Sequence, residues 1–191
     1  MNKFSEESRL LIRNYDAYKD IVDAGERLKS EIKAVLPIIA KRLRSQTWWN
    51  SKWEMLDPQT TQNSIQICFW EDGEEGHFIW VMVDNLTPDA IFGNKQPAFM
   101  TLWIYEGGKR PDLKLAVNRV MEPRCTSLIG EWDKSLKNPS VIVERLPKFS
   151  LENIDTLEDS IFTKFSGFIK YYSQFAGDFN KAVEKHLKAS K

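Results

Sequence analysis

The chain is poor in the devices that hold small or extracellular proteins together, and each shortage narrows what it can be. Cysteine is confined to Cys68 and Cys125, far apart and without a CxxC or zinc-type spacing, so neither a disulfide framework nor a structural metal site is expected. A reducing compartment, the cytoplasm, is the expected location. Long apolar runs are missing too. The first residues lack a stretch of signal-peptide length, and no later window approaches the ~20 apolar residues of a membrane-crossing helix. Neither repeats, low-complexity tracts nor a linker rich in proline, glycine and serine divides the 191 residues, so one domain of ordinary core size is expected over 1–191. Net charge is also absent: 27 basic residues balance 27 acidic ones, which removes the simplest electrostatic case for nonspecific nucleic-acid binding.

Charge is nevertheless unevenly placed. Residues 1–50 hold 10 basic and 7 acidic side chains, residues 51–106 hold 2 and 9, residues 107–150 hold 9 and 5, and the tail balances at 6 and 6. An acidic central stretch thus precedes a basic one, as solvated surface charge commonly does.

Residues 1–47 read as helical. Leu11, Tyr15, Tyr18, Val22, Ile32, Leu36, Ile39 and Leu43 recur at alternating spacings of three and four, which draws one apolar stripe along a helix. Unbroken, about 40 residues at roughly 1.5 Å each would run about 60 Å, longer than a domain of this size is wide. A break is therefore expected, at Pro37 first and at Gly25 second.

Residues 48–150 change to short β-branched and aromatic runs separated by turn formers. The candidate strands are 64–70, 77–84, 98–106 and 113–118, with a fifth at 141–145 after a short helix near 127–136. Residues 78–83 and 99–105 are apolar on nearly both faces, which makes them central strands. The C-terminal segment, 151–191, returns to helical spacing, with Asp155 and Glu158 as a capping box. Leu157, Ile161, Phe165, Phe168, Tyr172, Phe175, Phe179 and Val183 follow as an aromatic stripe that reads as core. The fold class expected is α+β: an antiparallel meander of four to five strands packed against N-terminal and C-terminal helices, mainly on one face.

Several constellations carry chemistry. Pro88-Asp89 is followed 23 residues later by Asp112-Leu113-Lys114 at the start of an expected strand. This spacing resembles the PD-(D/E)XK nuclease pattern, which implies Asp89 and Asp112, with Glu106 as a further acid, as ligands for Mg²⁺, and Lys114 as the group that orients the attacking water. The match covers five residues, and the expected strand 98–106 intervenes where that family pairs its two motif strands. Cys68 and His77 would share one face of a hairpin around 71–76, a thiolate and imidazole arrangement without a third residue to orient the ring. Glu71, Asp72, Glu74 and Glu75 concentrate carboxylates at that turn but lack the alternating ligands of a calcium loop. Gly107, Gly108, Lys109 and Arg110, with Lys114, Arg119 and Arg124, form a basic stretch that could contact an anion or nucleic acid.

Two features point toward recognition. Trp48, Trp49 and Trp53 cluster where helix gives way to sheet, and tryptophan offers large contact area at low entropic cost. Ile91 and Phe92 sit in a long connection between strands, 85–97. With neither a metal cluster, a cofactor fingerprint nor a catalytic triad in the sequence, the reading placed first is a non-enzymatic, intracellular binding or regulatory module that recognises a protein, with a homodimer compatible, no membrane and no cofactor. A metal-dependent nuclease or phosphodiesterase is the alternative, and nucleic-acid binding without catalysis is the third.

Overall fold

Ile65, Ile67, Ile79, Val81 and Val83 alternate with Gln66, Met82 and Asp84, and a period of two commits these segments to strands that turn one face inward. The computed structural model describes residues 5–61, 63–69, 79–93, 96–105, 110–150 and 152–189. The elements run α1 (Glu6–Arg13), α2 (Tyr15–Arg44), β1 (Glu54–Met55), α3 (Pro58–Thr61), β2 (Ile65–Cys68), β3 (Ile79–Asp84) and α4 (Pro88–Ile91). They continue with β4 (Phe99–Ile104), α5 (Pro111–Met121), β5 (Glu131–Trp132), β6 (Ser140–Arg145), α6 (Leu157–Ser173) and α7 (Ala176–Ala189).

Among the described residues the strands form one antiparallel sheet in the order β1-β2-β3-β4-β6-β5. The fold is α+β, as expected, with six strands rather than four or five. The extra strands are the outermost ones, β1 and β5, each two residues long. The register places Ile67, Val81, Leu102 and Ile142 in one row, and Ile65, Val83 and Met100 in another. All are 2% exposed or less, while on the reverse Gln66, Met82, Phe99, Trp103 and Val143 are half-buried and Cys68, Trp80 and Thr101 are buried.

The aromatic stripe near the C-terminus is core, with Phe165, Phe168, Tyr172 and Phe179 at 0–1% exposure. It is carried by two helices, α6 on α2 and β4, and α7 on α5 and β3. Asp155 does not cap it: that residue lies in a 3₁₀ turn, the α6 N-cap Thr156 makes no side-chain bond, and Glu158 instead accepts from Arg42 Nη1 at 2.6 Å. The same guanidinium bonds Asp159 at 2.7 Å and lies 4.0 Å from the Phe162 ring centre, joining the end of α2 to the start of α6.

Three other expectations are corrected. Residues 113–118 are helix, not strand. Pro111 opens α5 at a position where its missing N–H has no partner to lose, Asp112 follows in the first turn, and Leu113, Ala116, Val117 and Met121 recur at helical spacing as its buried side. Residues 127–136 hold turns and β5 rather than a helix, with Gly130 at φ +100, where a Cβ would stand 2.9 Å from the Val143 carbonyl oxygen. Finally, α2 runs unbroken through Gly25 and Pro37, and the chain bends instead at Asn14 (φ −118, ψ 32). Pro37 is tolerated because it faces solvent, where water can serve the carbonyl it leaves unbonded, while Leu36, Ile39 and Ala40 bind the inner side of the helix to the core.

Candidate functional site

The Trp cluster is a packed wedge. Trp53 is 8% exposed, with ring centres of Phe69, Trp49 and Trp48 at 4.8, 5.4 and 6.4 Å, and Trp48 and Trp49 are half-buried against the same core. Among the described residues the Trp53 indole N–H has no hydrogen-bond partner. Ile91 is also interior, at 2% exposure, and its carbonyl accepts from the Phe149 amide at 3.0 Å; Phe92 packs half-buried beside it. Thr87 caps α4 by accepting from the Ala90 amide, and Lys148 Nζ donates to the Gly93 carbonyl, so the long connection is tied down at both ends.

The residues of the nuclease-like string are dispersed by α5. On a strand, positions i and i+2 share a face; on a helix they lie about 200° apart, so Asp112 and Lys114 point to opposite sides. Asp112 faces outward, where Arg110 donates from Nε at 3.0 Å and Nη2 at 2.7 Å, and His186 Nε2 lies 3.0 Å away. Lys114 turns inward with no exposed side-chain surface, and its ammonium donates to the carbonyls of Ser135, Asn138 and Ser140 at 2.5, 2.8 and 2.6 Å. Burial draws its pKa down, opposed by Asp133 at 3.9 Å. Asp89 stands exposed in the first turn of α4. Glu106 lies outside the described residues, and among those described no group of three or more His, Cys, Asp or Glu side chains is placed to hold a metal.

The Arg110 guanidinium holds the Asp112 carboxyl down at about 2, from an ordinary 3.8, with the His186 bond adding to the effect. A carboxyl lowered in the folded state contributes stability that is complete above its unfolded pKa and lost as pH falls toward the folded one. The stability gap between the native chain and Asp112→Asn is therefore expected to close between about pH 4 and about pH 2, as followed by urea unfolding across that range. The gap should be under about 1 kcal/mol, because the pair is partly solvated.

Among the described residues the basic stretch does not assemble into a patch. Arg110 is engaged with Asp112, Lys114 is interior, and Arg124 bonds the Val120 carbonyl and Asp178 while stacking 4.5 Å from the Phe175 ring centre. Arg119 is exposed, beside a shallow groove it shares with Lys185 and His186. Lys109, His77 and the acidic turn at 71–76 lie outside the described residues. Cys68 is fully buried, and burial with Glu54 nearby pushes its thiol up to about 12, whereas Cys125 is exposed. One of the two thiols is expected to react with a soluble alkylating reagent in the folded protein and both in denaturant, counted by intact mass; rapid native labelling of Cys68 would show that the strand opens.

No protein-family model, curated protein or solved structure matches this chain.

One exposed surface belongs to an apolar stripe that the sequence singled out. The stripe Leu11-Tyr15-Tyr18-Val22 belongs to the same seam as Ile32-Leu36-Ile39-Leu43, yet only the second half meets the body of the protein. In α1 no residue is buried, and in α2 burial begins at Ile32, with Leu28 half-buried. Residues 5–27 thus project as a helical arm. Leu10, Leu11, Ile12, Tyr15, Tyr18, Ile21 and Val22 stand 42–71% exposed along it. The signal in the sequence was length: the stripe is too long for the domain, which implied a break at Pro37 or Gly25, whereas the structure breaks the helix at Asn14 and lets the N-terminal half overhang.

Proposed function

We propose that this protein is a binding module that recognises another protein, with the projecting arm as its recognition element. The observation that carries the reading is the exposure, at 42–71%, of seven large apolar side chains along α1 and the first turns of α2. Monomeric proteins rarely keep contiguous apolar patches above a few hundred Å² uncovered, and helix-in-groove or helix-on-helix contact is the standard way such a face is used. Charge favours protein over the other surfaces a helix can bind. Residues 5–27 carry six acids (Glu6, Glu7, Asp16, Asp20, Asp23, Glu26) against four bases (Arg9, Arg13, Lys19, Arg27), a mixed and slightly acidic surface that lacks the basic face by which helices hold anionic headgroups or a phosphate backbone. Among the described residues no helix is long and apolar enough to cross a membrane.

The test compares the tagged chain with Tyr18→Asp/Val22→Asp in lysate of the native host. Both substituted side chains are exposed, so the thermal midpoint is expected to stay within about 2 °C. At least one protein, other copies of this chain included, should be retained by the native arm and lost by the variant. Identical captured sets would overturn the reading.

A further inference from the structure

Resting on the arm as a protein-recognition element, we infer that it is one wall of a corner whose other wall is the connection 85–97. The occupant of the corner is an amphipathic helix of a different protein, laid along α2 with one end against Lys29. All of the arm's contribution comes from the single helix α2. At 3.6 residues per turn, Tyr18, Val22, Gly25 and Lys29 fall in the same sector of about 80° as the buried Ile32 and Leu36. The exposed stripe therefore looks toward the side on which the body stands.

The two meet at Lys29, which lines an open hollow of about 710 Å³ with Asn85, Thr87, Pro88, Asp89 and Gln96. Before Lys29 the helix is open: Tyr15, Tyr18, Ile21 and Val22 stand 42–71% exposed, and a Cβ built on Gly25 would have nothing within 4 Å. The stripe is thus a shelf that ends on a wall. The wall is fixed in place, with Asn85 Nδ2 donating to the Gln96 carbonyl at 2.9 Å and the Leu86 amide to the Asn63 carbonyl at 3.0 Å.

These dimensions and groups set what fits. Tyr15 to Lys29 spans about 21 Å at 1.5 Å per residue, the length of an α-helix of about 14 residues. Such a helix lays its apolar ridges among Tyr15, Tyr18 and Val22, and its backbone comes closest at the notch left by Gly25. At the wall it stops, and a helix end presents four backbone groups without intrahelical partners. The hollow meets them with an ammonium (Lys29), a carboxylate (Asp89) and two carboxamides (Asn85, Gln96). That mixed set suits a protein backbone, whereas a phosphate or an anionic headgroup would face the Asp89 carboxylate.

The test uses the full chain in a Cys125→Ser background; Cys68 is fully buried. A benzophenone maleimide is attached at Ala17→Cys, which flanks the stripe beside Ile21, or at Gln96→Cys, and irradiated in lysate of the native host. Both sites are expected to label one segment of one partner, at positions about 8–16 residues apart, because Ala17 lies about 18 Å along the axis from Lys29. The probe at the exposed Glu152→Cys gives the background. A synthetic peptide of the labelled segment should bind the full chain. Gly25→Arg should weaken that binding at least about tenfold without lowering the thermal midpoint, since arginine fills the notch and favours helix. Labelling from Ala17→Cys alone would overturn the corner and leave the arm as the recognition element. Undiminished binding by Gly25→Arg, labels on unconnected segments, or a second copy of this chain as the labelled partner would overturn it equally. Labelling from neither site would remove both the corner and the reading of the arm.

Discussion

Lys114→Ala is expected to lose about 3–5 kcal/mol of unfolding free energy, because it strands buried acceptors as well as opening a void. The Lys114 ammonium is the shared donor for three carbonyls, those of Ser135, Asn138 and Ser140, at 2.5–2.8 Å. It thereby holds the turn that delivers the chain into β6. Substitution by alanine removes the donor and the stem together. Lys114→Met restores most of the apolar volume but no donor, so it should recover only the packing part of the loss. The measurement is urea unfolding followed by tryptophan fluorescence, with a fall in midpoint at constant slope. A loss below about 1 kcal/mol would mean that water replaces the ammonium and that the turn holds itself.

Trp53→Ala should cost a similar amount, about 3–5 kcal/mol, as expected for deleting a large aromatic from a packed site. The indole is enclosed by Phe69, Trp48 and Trp49 and is only 8% exposed. Its N–H has no partner among the described residues, so a second substitution separates shape from polarity. Trp53→Phe gives up contact area but also removes a buried donor whose desolvation costs about 1–3 kcal/mol, and its net loss should be far smaller than that of Trp53→Ala. If Trp53→Ala instead unfolds at the native midpoint, the three tryptophans are not a wedge and belong to a recognition surface.

How far the fold could be read from the residues depended on whether local pattern and tertiary context agreed. The central strands β3 and β4 were legible because their apolar runs are too short and too β-branched or aromatic for a helix and are bounded by turn formers. Their two-residue companions β1 and β5 are invisible to any periodicity, since a period needs more than one repeat. Residues 113–118 were misread because Leu113, Leu115 and Val117 alternate like a strand; the decisive residues were outside that window, in Pro111 and in the spacing from Leu113 through Val117 to Met121. That one error also put Asp112 and Lys114 on a common face, where the nuclease-like pattern needs them. The arm shows the opposite limit. Its helical periodicity was plain, but a repeating apolar stripe specifies a face to be covered, not what covers it, and the buried half of the seam is the one that meets α6 and the rest of the body.

Tyr15, Tyr18 and Val22 share the single helix α2 with the buried half of the seam, which bears on the energetics of whatever the arm meets. An isolated helix of this length is marginal in water, because its first turn must be nucleated at high entropic cost. In α2 that first turn is already present, fixed by the burial of Ile32, Leu36, Ile39 and Leu43, and helical structure propagates outward from it through Tyr18 and Val22 without a fresh nucleus. Under the proposed reading, the α2 part of the arm is ordered before contact, and a binding partner is spared the ordering penalty that a disordered tail would impose there.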